Sequence, residues 1–142
     1  MLTVKIKYLR DIEPIANLFV GDWIDLRCGI SLLIKPFEYL KIPLGVAMEL
    51  PEGYSAIVAP RSSLFKNHGI LCANSLGIID NSYKGDNDEW NFLGYSTRHT
   101  YIPINERICQ FRLIEKGDEI LFKEVQKLGN PDRGGIGSTG GM

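Results

Sequence analysis

Glu38-Tyr39-Leu40-Lys41-Ile42-Pro43-Leu44-Gly45-Val46-Ala47-Met48-Glu49-Leu50-Pro51-Glu52-Gly53-Tyr54-Ser55-Ala56-Ile57-Val58-Ala59 decides the class of the fold. Three short apolar or alternating runs lie in it, Glu38–Ile42, Val46–Glu49 and Ser55–Ala59, with the turn residues Pro51-Glu52-Gly53 between the second and third. Runs this short, bounded by Gly and Pro, read as strands; an amphipathic helix needs apolar positions at 3.6-residue spacing over a longer window. The pattern continues outward in both directions. Further strands are predicted at Thr3–Tyr8, Trp23–Cys28, Ser31–Ile34, Ile70–Ala73, Gly77–Ile79, Asn91–Tyr95, Arg107–Ile114 and Ile120–Val125. Turn chemistry falls at Lys84-Gly85-Asp86-Asn87, Asn105-Glu106 and Lys116-Gly117-Asp118. Only Ser62–Asn67 reads as a helical turn, with Ser62 or Ser63 as its cap. Many short strands at regular spacing imply an all-β sandwich, jelly roll or small barrel.

With 142 residues, 44% of them hydrophobic, the chain makes one domain with a real core. Sixteen Lys+Arg against seventeen Asp+Glu leave a net charge of -1, so no basic field is available to hold nucleic acid. No apolar run approaches the roughly 20 residues that span a bilayer, and the alternating start Met1-Leu2-Thr3-Val4-Lys5-Ile6-Lys7 is unlike a signal peptide. Cys28, Cys72 and Cys109 are odd in number and widely separated, which argues against a disulfide framework or a Cys-x-x-Cys metal site and points to a reducing, cytoplasmic compartment. The tail from Gly129 to Met142 is too rich in glycine to build a core strand. The expected organisation is therefore a β-domain over residues 1–128 and a flexible arm over residues 129–142.

Four stretches carry groups suited to chemistry. Ala59-Pro60-Arg61-Ser62-Ser63-Leu64 places a guanidinium and two hydroxyls at the mouth of the short helix. Gly77-Ile78-Ile79-Asp80-Asn81-Ser82-Tyr83-Lys84-Gly85 sets a carboxylate three residues from an aromatic around a tight turn. Arg107-Ile108-Cys109-Gln110-Phe111 puts hydrogen-bonding side chains on an apolar strand, and the tail joins Arg133 to a glycine-rich backbone and Ser138-Thr139. Taken singly, each has a plain structural explanation: a capped helix, a hairpin end with a solvated Asp, a strand with one exposed face, a disordered tail. The acids Asp86, Asp88 and Glu89 read as a solvated loop, since the later Glu of a calcium loop is missing.

In this order, however, the stretches resemble the five motifs of the trimeric dUTP pyrophosphatases, the dUTPases. Gly21-Asp22-Trp23-Ile24-Asp25-Leu26 is similar to the first motif, Pro60-Arg61-Ser62-Ser63-Leu64 to the second, and Asn74 to Gly85 to the third. Arg107 to Phe111 is similar to the fourth and Arg133 to Gly140 to the fifth. The likeness covers nearly the whole chain. It implies a jelly-roll-like barrel that hydrolyses dUTP to dUMP and pyrophosphate, limiting uracil in DNA and supplying dUMP for dTMP synthesis. It also implies a homotrimer whose active sites lie at subunit interfaces, with the tail crossing to a neighbour and Mg2+ as cofactor.

In that frame Asp80 is the candidate base for the attacking water, since a free Asp titrates near ~3.9 and is ionised at neutral pH. Asp25 and Gln110 complete the catalytic set, with Asp25 holding waters of an Mg2+ carried mainly on the substrate phosphates. Arg61, Ser62, Gln110, Arg133, Ser138 and Thr139 fall to the phosphates by resemblance, and Ser63, Lys84, Ile136 and Gly137 are substrate-binding positions of the same motifs. Asn74, Gly77 and Ile79 belong to a hairpin whose fixed backbone donors and acceptors read the uracil edge, and Tyr83 packs on the sugar where a 2′-hydroxyl would sit. Ordinary turn, strand-end and core roles remain the alternatives for Asp80, Asp25 and Tyr83.

The chain departs from the pattern in several places. Ser63 stands where Gly is usual, Lys84 where Arg is usual, the fifth motif is two residues shorter, and Ile136 replaces the aromatic that covers the base. Base–aromatic stacking contributes about 1–3 kcal/mol, so Phe92, Trp90 or Phe65 is a candidate cover. Two rival functions follow from the same scaffold. One is a dCTP deaminase, which would need a catalytic Glu on the strand after the hairpin, with Glu89 the nearby acid. The other is a regulatory binding protein with a protein partner of unknown kind.

Overall fold

The structure is a computed structural model that describes residues 1–15, 21–135 and 137. Eleven strands and one short helix occur among the described residues: β1 (Lys5–Tyr8), β2 (Ile24–Arg27), β3 (Leu32–Ile34), β4 (Tyr39–Pro43), β5 (Val46–Glu49), β6 (Tyr54–Pro60), α1 (Leu64–His68), β7 (Ile70–Cys72), β8 (Gly77–Ile79), β9 (Asn91–Ser96), β10 (Thr100–Ile102) and β11 (Arg107–Glu115). All pairings are antiparallel, in a four-stranded sheet β2-β11-β6-β8, a three-stranded sheet β4-β9-β7, and the ribbons β1-β5 and β3-β10. The result is an all-β fold, as the strand spacing implied, and the jelly-roll-like barrel that the resemblance implied.

Between the sheets Leu26, Ile42, Leu44, Val46, Val58, Ile70, Trp90, Phe92, Ile102 and Ile108 are fully buried. The Trp90 ring meets Phe111 edge to face, with centroids 5.2 Å apart, a geometry that aligns the ring edge of one with the face of the other. β11 is the central strand, bonded to β2 on one side and β6 on the other. A bulge between Arg107 and Cys109 breaks its alternation, so Ile108 and Cys109 are both buried and Gln110 is left half-buried.

The predicted strands largely match the observed ones, and the departures have physical causes. β10 is not among the predicted strands: Thr100-Tyr101-Ile102 is short and carries no bounding turn signal, and it forms where β3 supplies a partner. Ile120–Val125, expected as a strand, forms none. Beyond the Lys116 amide, which donates to the Gly53 carbonyl at 2.7 Å, residues 117–134 run exposed and join no strand ladder. The helix begins at Leu64 after Ser63, but Ser63 sits in the right-handed helical region and makes no side-chain cap bond. Neither hydroxyl is spent on the helix through a cap.

Gly69 ends α1 in the left-handed region (φ +65°), and a Cβ there would lie 2.7 Å from Thr97 Oγ1 and 2.8 Å from Arg98 Cγ. Gly69→Ala is therefore expected to lower stability by about 1–3 kcal/mol, read as a lower urea midpoint at unchanged m-value. An unchanged midpoint would show that the turn relaxes at no cost.

Candidate functional site

Two groups of side chains stand out, one on the four-stranded sheet and one where its strand β8 faces residues of the three-stranded sheet. The first is set by register. Gln110 on β11 lies opposite Asp25 on β2 and Ala59 on β6, so three segments distant in sequence converge at one place. Asp25 is half-buried between two guanidinium groups, Arg107 Nη1 at 3.3 Å from Oδ2 and Arg61 Nε at 3.6 Å from Oδ1. Arg61 Nη1 also donates to the Arg107 carbonyl at 3.1 Å, and Gln110 Nε2 to the Pro60 carbonyl at 3.4 Å. Ser62 and Ser63 follow Arg61 at the start of α1. With five residues, α1 adds little dipole; the anion-binding capacity here comes from the guanidinium groups and hydroxyls. Sequence reasoning assigned no role to Arg107, although it opens the fourth stretch.

The second group surrounds a cavity of about 420 Å³ whose lining includes Asn74, Gly77, Ile79, Asp80 and Tyr83. β8 forms its floor through pairing with β6, where Gly77 lies opposite Val58; a Cβ on Gly77 would stand 3.2 Å from Val58 Cβ, a closeness that only glycine accepts without displacement. The turn after β8 is tied down by Asn81, whose Nδ2 donates to the carbonyls of Tyr54 at 2.7 Å and Pro51 at 2.9 Å.

Asp80 is exposed at the cavity rim. Its Oδ2 accepts from the Ser82 hydroxyl at 2.5 Å and the Ser82 amide at 2.9 Å. These bonds hold the carboxyl below its ordinary pKa, the hydroxyl contributing most. Among the described residues Oδ1 carries no hydrogen bond, so an ionised oxygen faces solvent with an open acceptor position. Tyr83 forms a wall of the cavity, its hydroxyl donating to the Glu89 carbonyl at 2.7 Å. Burial first, then Asp88 and Glu89, push its pKa up, so the phenol stays a neutral donor. Cys72 also lines the cavity, and its thiol donates to Asn74 Oδ1 at 3.2 Å. Sequence reasoning missed Cys72, Lys41 and Asn91 as lining residues, because they come from β7, β4 and β9.

Lys84 lies outside this cavity and faces a neighbouring hollow with Glu52, Asp80 and Lys116. Trp90 is sealed in the core, and Phe92 is equally buried but contributes to the cavity wall. Phe65 is exposed on α1. Glu89 is occupied: Arg10 Nε and Nη2 reach its carboxylate at 2.7 and 3.1 Å, and the Gly45 amide donates to it at 2.9 Å. It is not a solvated loop acid. Arg133 is exposed and Gly137 has φ +86°; Ile136, Ser138 and Thr139 lie outside the described residues.

No hydrogen bond or ion pair among the described residues joins the Asp25 group to the Asp80 cavity. No three of His, Cys, Asp and Glu gather to cage a metal ion among those residues.

A dUTPase family model matches residues 21–140. The prophage-derived deoxyuridine 5′-triphosphate nucleotidohydrolase of Bacillus subtilis is 54% identical over 140 residues, 98% of this chain and 99% of that protein. Among solved structures, a point mutant of the phage 80α dUTPase superposes with a TM-score of 0.79 at 19% identity, covering 96% of this chain and 98% of that one. A point mutant of the dUTPase of Staphylococcus aureus phage phi11 superposes with a TM-score of 0.74 at 16% identity, covering 89% and 98%; that structure is described as coordinating a structural Mg(II) ion.

Proposed function

The chain belongs to the dUTPase family, and from that premise we propose how it hydrolyses dUTP to dUMP and pyrophosphate. Asp80 carries the reading: an ionised, exposed carboxylate with one open oxygen, at the rim of a cavity lined by Asn74, Gly77, Ile79 and Tyr83. The uracil occupies that cavity against the backbone of β8, with Asn74 on its polar edge and Tyr83 against the deoxyribose. The α-phosphorus then lies toward Asp80, whose Oδ1 takes the proton of an in-line water. Cleavage breaks the bond to the bridging oxygen, and the charge that builds on the pyrophosphate is met by cations and amide donors.

Those donors are Arg61, Ser62, Ser63 and Gln110 from the first group, with Arg133, Gly137, Ser138 and Thr139 from the arm and Lys84 at the outer edge of the hairpin. By resemblance Ile136 belongs to the same substrate-binding arm. Because no hydrogen bond or ion pair joins the two groups among the described residues, an active site assembled from neighbouring copies in a homotrimer accounts for both. Residues 1–128 form the barrel unit, whose stretch from Lys116 packs on a neighbour, and residues 129–142 are the arm.

Mg2+ fits this donor set as a passenger of the triphosphate rather than as a caged ion. Asp25, held between Arg61 and Arg107 with a quarter of its side chain exposed, would hold the water ligands of such an ion by hydrogen bonds. When bound, Mg2+ neutralises phosphate charge and orders the chain of phosphates. No helix among the described residues is long and apolar enough to cross a membrane, and the free cysteines Cys28, Cys72 and Cys109 support a cytoplasmic place of work. The deaminase reading is disfavoured because both oxygens of Glu89, the acid it would use, are bound to Arg10.

Selectivity tests the reading. A cavity that pairs a base edge with fixed backbone groups leaves buried donors unmatched by cytosine, which supports discrimination toward about 10⁴–10⁵-fold. dUTP is expected to turn over far ahead of dCTP, dTTP and UTP, with dUMP and pyrophosphate as products. Comparable kcat/KM for dCTP or UTP, or release of ammonia, would overturn it.

A further inference from the structure

Arg10 lies outside the stretch matched by the family model and outside all five motifs, yet it reaches the residue that fixes one wall of the cavity. We propose that Arg10 is a positioning residue for sugar discrimination: by clamping Glu89, it fixes the carbonyl that anchors the Tyr83 hydroxyl. This inference rests on the reading of Tyr83 as the wall against deoxyribose.

The geometry is continuous from the N-terminal segment to the aromatic ring. The Leu9 amide donates to the Gly45 carbonyl at 2.8 Å, which lays the segment along the loop between β4 and β5. The Arg10 stem then passes over Gly29 and Gly45, where glycine leaves room: a Cβ on Gly29 would stand 2.8 Å from Arg10 Cδ. Its guanidinium grips Glu89 by two parallel bonds, and the Gly45 amide adds a third to the same carboxylate. Bidentate pairing of this kind sets orientation as well as energy.

Glu89 is held from its other side too. The next residue, Trp90, is sealed in the core and exchanges backbone bonds with Val46 and Leu44. The Glu89 carbonyl between these two anchors accepts from the Tyr83 hydroxyl at 2.7 Å and from Asn91 Nδ2 at 2.9 Å. Asn91 and Tyr83 both line the cavity. Release of the carboxylate frees the loop between Gly85 and Trp90 to shift, and the tyrosine ring moves with it. A ring displaced by a fraction of an ångström stops excluding a 2′-hydroxyl, while binding of the base on β8 is untouched.

The test measures kcat/KM for dUTP and UTP in four proteins: wild type, Arg10→Gln, Tyr83→Phe and the double variant. Arg10→Gln is expected to lower the dUTP/UTP ratio by about tenfold, the scale set by losing one well-formed hydrogen bond to a charged group. Tyr83→Phe lowers it similarly, and Arg10→Gln adds little in the Tyr83→Phe background, because both act on one anchor. Arg10→Lys, which keeps charge but not the fork, gives an intermediate loss; it carries the test if Arg10→Gln yields no folded protein. A lower melting temperature at an unchanged ratio overturns the proposal, as does an equal effect of Arg10→Gln with and without the Tyr83 hydroxyl. A wild-type protein that fails to hydrolyse dUTP defeats the functional reading instead, so the two failures are separable.

Discussion

Asp80→Asn is expected to lower dUTP turnover by about 10²–10⁴-fold, equivalent to about 3–5 kcal/mol of barrier. The substitution keeps the side chain's shape, and its remaining carbonyl oxygen can still accept from the Ser82 amide, so the turn that Asn81 pins to Tyr54 and Pro51 is retained. What disappears is the anionic acceptor. Binding of a non-hydrolysable dUTP analogue should therefore survive while hydrolysis does not, a loss in kcat with little change in affinity. The pH profile adds a second measurement. Because the Ser82 hydroxyl and amide bond to the ionised form, the Asp80 carboxyl titrates below its usual range. The active form is the one without the proton, so wild-type rate stays level across neutral pH and falls only as pH drops through that lowered value. The residual activity of Asp80→Asn lacks this limb. Turnover near wild type would make Asp80 a turn residue and remove the mechanism.

The hairpin was legible in the sequence because its parts are contiguous: Gly77, Ile79, Asp80 and Tyr83 belong to one turn, and a turn brings neighbours together by local geometry alone. The cavity's far walls were not, since Cys72, Lys41 and Asn91 arrive from three other strands whose pairings no local pattern specifies. The same holds for the Asp25 group. Asp25, Arg61 and Gln110 could be picked out by residue type, but the contact among them depends on the register of β11 with β2 and β6. The bulge at Arg107 shifts that register, and nothing in Arg107-Ile108-Cys109 announces it. Glu89 shows the limit most plainly. As one of three acids in a polar loop it reads as solvated, and its actual partner is Arg10, 79 positions earlier in the chain. A short apolar run also misleads where no neighbour pairs with it, as in Ile120–Val125.

That stretch sets up the second large effect, which separates two parts of the C-terminal segment. Ile120 is 77% exposed, Leu121 92%, Phe122 90% and Leu128 84%. Covering such side chains is worth about 1.5–3 kcal/mol each, a strong drive to pack on another copy. Beyond Leu128 apolar side chains are few and glycine dominates, so the arm has little with which to stabilise anything. Deleting residues 131–142 is therefore expected to leave the melting temperature and the proposed trimer intact. Turnover should fall by at least about 10²-fold, the scale of losing a preorganised donor to developing charge, because Arg133, Ser138, Thr139 and the backbone amides of the arm leave together. Deleting residues 116–142 should instead disrupt assembly, since the apolar stretch goes as well. Ordering a glycine-rich segment costs about 1–2 kcal/mol per residue, so protection of the arm from proteolysis is expected with the triphosphate and Mg2+ but not with dUMP. Light scattering, thermal unfolding and steady-state turnover on the two truncations decide the matter. Full activity in the shorter deletion would refute the arm's role in catalysis, and loss of the trimer there would make the arm structural.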